Sequence, residues 1–214
     1  MTNMEIAAYI DHTLLKPTAT WEQIRELCEE AITYQTASVC IPPNYIARVK
    51  EEFKDRIKIA TVIGFPLGYE TTAAKAEETA TALDDGADEI DMVINITDVK
   101  NKEYDKVTEE IKSLKAICAD KILKVIVETC YLTQDEKIAM CRSVTDAGAD
   151  YIKTSTGFGT AGATLEDVRL FKEHIGPNVK IKAAGGIRTK EDMISYIEAG
   201  VSRIGCSSTK VLFE

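Results

Sequence analysis

Two lysines lie near the ends of apolar segments, where a solvated side chain is not expected. Lys153 is part of GADYIKTSTGFGTAG, and Lys182 is part of VKIKAAGG. If both segments are strands, side-chain alternation turns Lys153 inward with Tyr151, and Lys182 inward with Lys180. A buried ammonium without a partner tends to lose its proton, and a second cation nearby favours the same loss. The two lysines therefore predict an amine nucleophile at the mouth of the barrel.

An acidic residue has the equivalent position in a third segment. DDGADEIDM, DAGADYIKT and EAGVSRIGC each end a helix at a glycine, and five residues further on stand Asp91, Lys153 and Gly205. The same alignment of QTASVC adds Cys40. We expect Asp91 and Lys153 to share one interior layer. A structural alternative remains open, in which each lysine forms an ion pair with Asp91 or Glu128 or extends to the rim.

Glycine-rich segments follow the strands that carry these lysines, and a third follows the last strand. They read TSTGFGTAG, AAGGIRT and GCSS. Loops of this kind bind phosphate because bare backbone N–H groups converge on the anion. The sequence predicts a substrate and phosphate site formed by Thr156, Gly157, Phe158, Gly185, Gly186, Arg188, Gly205, Ser207 and Ser208.

Helix and strand patterns alternate along the whole chain and position these segments. WEQIRELCEEAITY has apolar residues at helical spacing after Thr20, a candidate N-cap, and leads into the short β-rich ASVCI. Eight strand segments, beginning with YIDHTLL, are separated by helices. An open doubly wound sheet usually carries G-x-G-x-x-G after its first strand, whereas this chain has DHTLLKPTAT. We predict an α/β fold, a (β/α)₈ TIM barrel, as a single domain over residues 1–214.

Composition excludes several classes of function. The formal charge of −9 disfavours binding to nucleic acid or to anionic membranes. No segment resembles a signal peptide or a membrane span, so we expect a cytoplasmic protein. The six cysteines include no C-x-x-C pair and are expected to be reduced thiols, and two histidines cannot form a multi-histidine zinc site. We expect neither a metal nor another cofactor.

Seven motifs, spread over nearly the whole chain, resemble the deoxyribose-phosphate aldolase family. They are DHTLLKP from Asp11, VCIPP from Val39, GFPLG from Gly64, EIDMVIN from Glu89, YIKTSTGFGTAGAT from Tyr151, KAAGGIRT from Lys182 and GCSS from Gly205.

The resemblance implies a role for each matching residue. Lys153 would form the Schiff base, Lys182 would lower its pKa and assist proton transfer, and Asp91 would relay protons through water. Further substrate contacts would come from Asp11, Thr13 and Cys40. The implied reaction is the reversible cleavage of 2-deoxy-D-ribose 5-phosphate to acetaldehyde and D-glyceraldehyde 3-phosphate.

One departure from the family pattern concerns the C-terminus. Family members often carry a terminal tyrosine near the active site, whereas this chain has no tyrosine after Tyr196. Two other functions remain open: another phosphate-binding barrel enzyme, or a non-catalytic barrel that binds sugar phosphates. The only expected partners are the small sugar phosphate and, because barrels of this size often pair, a second copy in a homodimer.

Overall fold

Eight parallel strands close into a barrel in the computed structural model, which describes residues 1–214. Each strand pairs with the next in chain order, and the last pairs with the first. The strands are β1 Ile10–Thr13, β2 Ser38–Ile41, β3 Ile59–Ile63, β4 Glu89–Val93, β5 Ile122–Ile126, β6 Tyr151–Lys153, β7 Lys180–Ala184 and β8 Arg203–Cys206. The predicted (β/α)₈ barrel is thereby confirmed.

Nine helices accompany the strands, and seven of them have eight or more residues. They are α1 Asn3–Ala7, α2 Trp21–Tyr34, α3 Ile46–Phe53, α4 Thr72–Asp84, α5 Ile96–Lys100, α6 Tyr104–Cys118, α7 Gln134–Asp146, α8 Leu165–His174 and α9 Lys190–Ala199. After β8 the chain forms a short 3₁₀ turn, Thr209–Leu212, where a regular barrel would have its last helix. None of the helices has the length and apolar character needed to cross a membrane.

Threonine caps fix where several helices begin. Thr20 accepts a hydrogen bond from the Gln23 backbone N–H, and the Gln23 side chain accepts one from the Thr20 N–H, which completes a capping box. The expected N-cap at Thr20 is therefore confirmed. Equivalent threonine caps begin α1, α4, α7, α8 and α9. These caps fix the chain direction at the helix starts, and so hold the loops that precede the helices at the barrel mouth.

The two faces of the barrel wall differ sharply in chemistry. The outer face packs against the helices in a cluster of 46 buried apolar residues. Strands β2, β3 and β4 are buried at every position, because one face of each packs against helices and the other lines the closed barrel. On the inner face, by contrast, buried charged side chains extend from six strands, β1, β4, β5, β6, β7 and β8. The main hydrophobic core therefore lies outside the barrel wall, whereas the interior holds the charged side chains and a small apolar cluster of Cys40, Ala60 and Val62.

Candidate active site

Six buried charged side chains form a closed ring of ion pairs inside the barrel, with cations and anions alternating. Three of its contacts join the anions to Lys124 and Lys182. Asp91 accepts hydrogen bonds from Lys124 Nζ at 2.8 Å and from Lys182 Nζ at 2.6 Å. Lys182 also contacts the carboxylate of Asp11. These three contacts form the half of the ring nearer the barrel mouth.

Arg203 and Glu89 close the ring at its far side. The guanidinium donates to both oxygens of Glu89, at 3.0 and 3.2 Å, and to Asp11 Oδ1 at 2.5 Å. Glu89 in turn accepts from Lys124 Nζ at 2.6 Å. The ion-pair ring therefore runs through Arg203, Asp11, Lys182, Asp91, Lys124 and Glu89, contributed by β1, β4, β5, β7 and β8.

Lys153 is attached to this ring through a single contact. Its Nζ donates to Asp91 Oδ2 at 2.7 Å, the same oxygen that accepts from Lys182. The Lys153 residue keeps 3% of its surface exposed, whereas Lys124 and Lys182 keep none. Asp91 and Lys153 thus meet in the barrel interior, as their equivalent positions on β4 and β6 indicate.

The pKa values of Lys153 and Lys182 are shifted in opposite directions. Burial lowers the pKa of Lys153; Asp91 opposes this shift and Lys182 adds to it. Burial acts on Lys182 in the same sense, but Asp11 and Asp91 together raise its pKa. Burial also disfavours the charge on Asp91, yet the ammonium groups around it hold its pKa well below the usual range. Lys153 is consequently the lysine of this cluster that most readily becomes a free amine.

A cavity of about 390 Å³ opens at the C-terminal ends of the strands, above Lys153. Its lining includes Lys16, Lys153 and Arg188 but no carboxylate side chain. Ten of the residues expected from the sequence lie on its wall: Thr13, Lys153, Thr156, Gly157, Phe158, Gly185, Gly186, Arg188, Gly205 and Ser207. The cavity therefore offers a cationic environment within a protein of formal charge −9.

Backbone geometry shapes the loops around this cavity. Gly157, Gly185 and Gly186 have φ of 86°, 86° and 80°, a region that glycine adopts without strain. Gly162 packs against the backbone of Gly185, since a Cβ added at Gly162 would lie 2.2 Å from the Gly185 carbonyl oxygen. The loops after β6 and β7 are thus held together backbone to backbone, with N–H groups near the cavity.

The remaining predicted residues lie outside the cavity wall. Asp11, Cys40, Asp91 and Lys182 are fully buried beneath it. Ser208 lines a neighbouring surface groove with His12 and Glu30. Lys180 was expected to turn inward beside Lys182, but it is exposed, because it is the first residue of β7 and lies at the end of the barrel away from the cavity. A lysine at an inward-facing strand position is therefore buried only when it lies well inside the barrel, and not when it lies at the end of the barrel away from the cavity.

Four charged residues of the site are absent from the sequence-based expectation: Glu89, Lys124, Arg203 and Lys16. The first three could have been found by the alternation that found Lys153. Glu89 stands two residues before Asp91, Arg203 two before Gly205, and Lys124 in the middle of the apolar segment ILKVIVE. Lys16 follows β1 in an irregular loop, so its direction could not be read from periodicity. No group of three or more histidine, cysteine or acidic side chains is arranged to hold a metal ion.

Comparison with known proteins places this chain in one family. The sequence pattern of the DeoC/LacD family aldolases matches residues 5–208. A Clostridium botulinum (strain Alaska E43 / Type E3) protein named deoxyribose-phosphate aldolase is 66% identical over 207 residues, which are 97% of this chain and 94% of the relative. The chain belongs to the DeoC/LacD aldolase family, and it is an aldolase built on a (β/α)₈ barrel.

Solved structures agree with this assignment. A Coccidioides immitis structure superimposes with a TM-score of 0.95 at 40% identity, covering 100% of this chain and 86% of that one. A deoxyribose phosphate aldolase from Aeropyrum pernix, described as tetrameric, superimposes with a TM-score of 0.91 at 32% identity, covering 99% and 91%. The whole barrel is therefore shared closely with both of these solved structures.

Proposed function

We propose that this aldolase cleaves 2-deoxy-D-ribose 5-phosphate reversibly to acetaldehyde and D-glyceraldehyde 3-phosphate, with Lys153 as the nucleophile. The observation that carries the proposal is the placement of the three lysines that contact Asp91. Lys153 lines the cavity, whereas Lys124 and Lys182 lie fully buried behind it. Only the first of them can meet a substrate carbonyl without rearrangement of the barrel.

The chemistry follows from a free amine at that position. The Lys153 nitrogen attacks the aldehyde carbon of the sugar, and loss of water leaves a protonated imine. When the proton leaves the sugar C3 hydroxyl, the C2–C3 bond breaks and its electron pair moves into the imine, which becomes an enamine. Glyceraldehyde 3-phosphate departs, the enamine carbon takes up a proton, and water hydrolyses the imine to release acetaldehyde. The imine supplies the electron sink for the cleavage.

Proton transfer involves the groups that touch Lys153. Because three ammonium groups surround Asp91 and depress its pKa, the carboxylate is a weak base in the free enzyme. Conversion of Lys153 to an imine alters one of these three ion pairs. Asp91 therefore acts together with Lys182, whose ammonium donates to the same Asp91 oxygen as Lys153. Protons reach the reacting carbon through water held by Asp91 and Lys182.

The phosphate group is held at the other side of the cavity. Gly185 and Gly186 precede α9 after β7, and Gly205 and Ser207 follow in β8 and its loop. Backbone N–H groups in such loops bind phosphate oxygens, and Arg188 adds a positive charge on the same wall. Phe158, which packs edge-to-face on Phe65 with ring centroids 5.3 Å apart, borders the opening. A sugar phosphate thus spans from Lys153 to the glycine loops.

Reductive trapping tests the proposal directly. The protein is incubated with acetaldehyde and sodium borohydride, and the modified peptide is identified by mass spectrometry. We expect one ethyl group on Lys153 and a parallel loss of cleavage activity. Lys75, another fully buried lysine, serves as the internal control that should remain unlabelled. Labelling at Lys182 or Lys124 in place of Lys153, or cleavage without any labelling, would contradict the assignment.

Location and assembly form a secondary part of the proposal. All six cysteines are free thiols and five are buried, which suits a reducing compartment and supports a cytoplasmic location. The Aeropyrum pernix relative is described as tetrameric, and this supports self-association through a homodimer here. Sedimentation analysis of the purified protein would measure the assembly, and a monomer at micromolar concentration would contradict it.

A further inference from the structure

The ion-pair ring is neutral by itself, and Lys153 is the one charge in excess. The ring contains the anions Asp11, Glu89 and Asp91 and the cations Lys124, Lys182 and Arg203. With an ammonium on Lys153 the ring and Lys153 together therefore carry one surplus positive charge. With a free amine on Lys153 the positive and negative charges balance. Since an uncompensated buried charge is costly, the fold favours the balanced state.

The number of partners explains why Lys153, and not another cation, gives up its proton. Lys153 contacts one carboxylate, Asp91, and shares that oxygen with Lys182. Lys182 contacts two carboxylates, and Arg203 also contacts two. Lys124 lies within 4 Å of three carboxylates. Deprotonation of any ring cation would leave at least two carboxylates under-compensated, whereas deprotonation of Lys153 affects one.

We propose that Arg203 and Glu89, which do not line the substrate cavity, act as positioning residues that set in opposite senses how readily Lys153 becomes a free amine. Two routes connect them to Lys153. Arg203 acts through Asp11, Lys182 and Asp91, while Glu89 acts through Lys124 and Asp91. Loss of the Arg203 charge leaves the ring with a net negative charge, which an ammonium on Lys153 then balances. Loss of the Glu89 charge leaves a second surplus cation and favours the free amine further.

The other groups that face Lys153 do not remove this dependence. Cys40 on β2 is a buried thiol whose pKa is raised by burial, so it stays neutral. Glu128, after β5, is held by the backbone N–H of Thr156 and by its hydroxyl, and it has no ion-pair partner within 4 Å. Burial raises the pKa of Glu128, and the nearby charge of Lys153 opposes that shift. Lys16 and Arg188 line the same cavity. All four are unchanged in the variants below, so differences between variants report on the ring.

This inference rests on the proposed function, in that Lys153 must be the residue that forms the imine. The experiment measures the initial rate of Lys153 ethylation by acetaldehyde and cyanoborohydride as a function of pH, with mass spectrometry of the Lys153 peptide. Hydride addition to the imine carbon fixes the ethyl group on the nitrogen, and the pH midpoint reports how readily the amine is freed. Arg203→Met and Glu89→Gln are compared with the unsubstituted protein.

We expect the midpoint of Arg203→Met to rise and that of Glu89→Gln to fall, each by about half a pH unit or more. Below the unsubstituted midpoint this is about a threefold change in labelling rate, lower in the first variant and higher in the second. Arg203→Lys keeps the positive charge but loses the bidentate contact with Glu89. Its midpoint should stay within about 0.2 pH units of that of the unsubstituted protein. A purely structural role would not produce shifts of opposite sign.

Labelling of Lys153 tests the proposed function, whereas the midpoints of the two variants test the proposed role of Arg203 and Glu89. If the unsubstituted protein is not labelled at Lys153, the proposed function fails and the ring is not in question. If Lys153 is labelled but the midpoints of the two variants coincide with the original or move together, the proposal for Arg203 and Glu89 is overturned. Glu89→Gln preserves size, so it decides alone if Arg203→Met does not fold: an unchanged or raised midpoint in Glu89→Gln refutes the proposal.

Discussion

Lys75 and Lys153 are both buried, yet only one of them has the surroundings of a nucleophile. Lys75, on α4, is fully buried and donates to Glu110 at 2.9 Å and to the Val93 carbonyl oxygen at 2.8 Å. Lys153 has a single carboxylate partner, a second lysine on the same oxygen, and a cavity above it. Burial alone therefore does not identify a reactive lysine. The number of acceptors, the nearness of another cation and access to substrate do.

The largest effect should come from replacing the nucleophile itself. Lys153→Arg keeps a positive charge beside Asp91, but a guanidinium stays protonated and cannot form an imine. We expect turnover of 2-deoxy-D-ribose 5-phosphate to fall by about 10⁴-fold, with the circular dichroism spectrum and phosphate binding retained. Substantial cleavage by a homogeneous preparation of this variant would show that the two buried lysines do not differ as argued.

Lys75→Met should lower the stability of the protein but leave its catalytic rate unchanged. The substitution leaves Glu110 buried without its partner, and we expect the free energy of unfolding to fall by about 3 kcal/mol. Urea denaturation measures this loss, and initial rates at a temperature where the variant is folded should match those of the original protein. The double variant Lys75→Met/Glu110→Leu should recover most of the stability. A large loss of turnover in folded Lys75→Met would erase the distinction between the two lysines.

Lys182→Leu removes the cation that shares an oxygen of Asp91 with Lys153. The pKa of Lys153 is lowered by burial, and Lys182 adds to that lowering, so its removal raises the pKa. A smaller fraction of Lys153 is then free amine at a given pH, and the acidic limb of kcat/KM moves to higher pH. We also expect a loss of about 100-fold in rate because proton transfer is impaired. An unshifted pH profile would mean that the two groups are not coupled.

Gly186→Val tests the part of the site that recognises phosphate. Gly186 has φ of 80° and no heavy atom within 4 Å of an added Cβ, so valine would strain the backbone and project toward the anion. We expect KM for the phosphorylated sugar to rise by about tenfold, with much less effect on unphosphorylated deoxyribose.

Gly148→Val is the matched control for that substitution. Gly148 has φ of 70° and equally open surroundings, but it precedes β6 at the opposite end of the barrel. The control should lose stability without a change in the ratio of the two KM values. Equal damage to both substrates in Gly186→Val would assign its effect to strain and not to phosphate recognition.

Strand alternation carried most of what the sequence could predict. It identified the barrel and the inward direction of Lys153 and Lys182, because a period of two is local and independent of the rest of the chain. The structure at the two ends of the barrel could be predicted less well from the sequence. Lys180 has the inward phase but is exposed, and the five-residue helices α1 and α5 are too short to show a period. Local patterns therefore define what faces inward but not how deep it lies.

Ring closure depends on distances that no local pattern contains. Arg203 and Glu89 are 114 positions apart in the chain, and their contact follows from the stagger of eight strands around the barrel. The same stagger brings Lys182 to Asp11, 171 positions away. The sequence limits the partners of Asp91 to inward-facing lysines, but it does not show which two of them donate to the same oxygen. That shared oxygen is what distinguishes Lys153 from Lys75.

The closed ring also constrains how the sequence of this barrel can diverge. Every member of the ring contacts at least two others of opposite charge, so one replacement disrupts two ion pairs together and costs about 3–5 kcal/mol. Exchange of an adjacent pair, such as Arg203 with Glu89, for apolar residues of similar volume leaves a neutral chain of four. Substitutions in this interior should consequently occur in pairs along a lineage, with the intermediate that carries one of them rarely persisting.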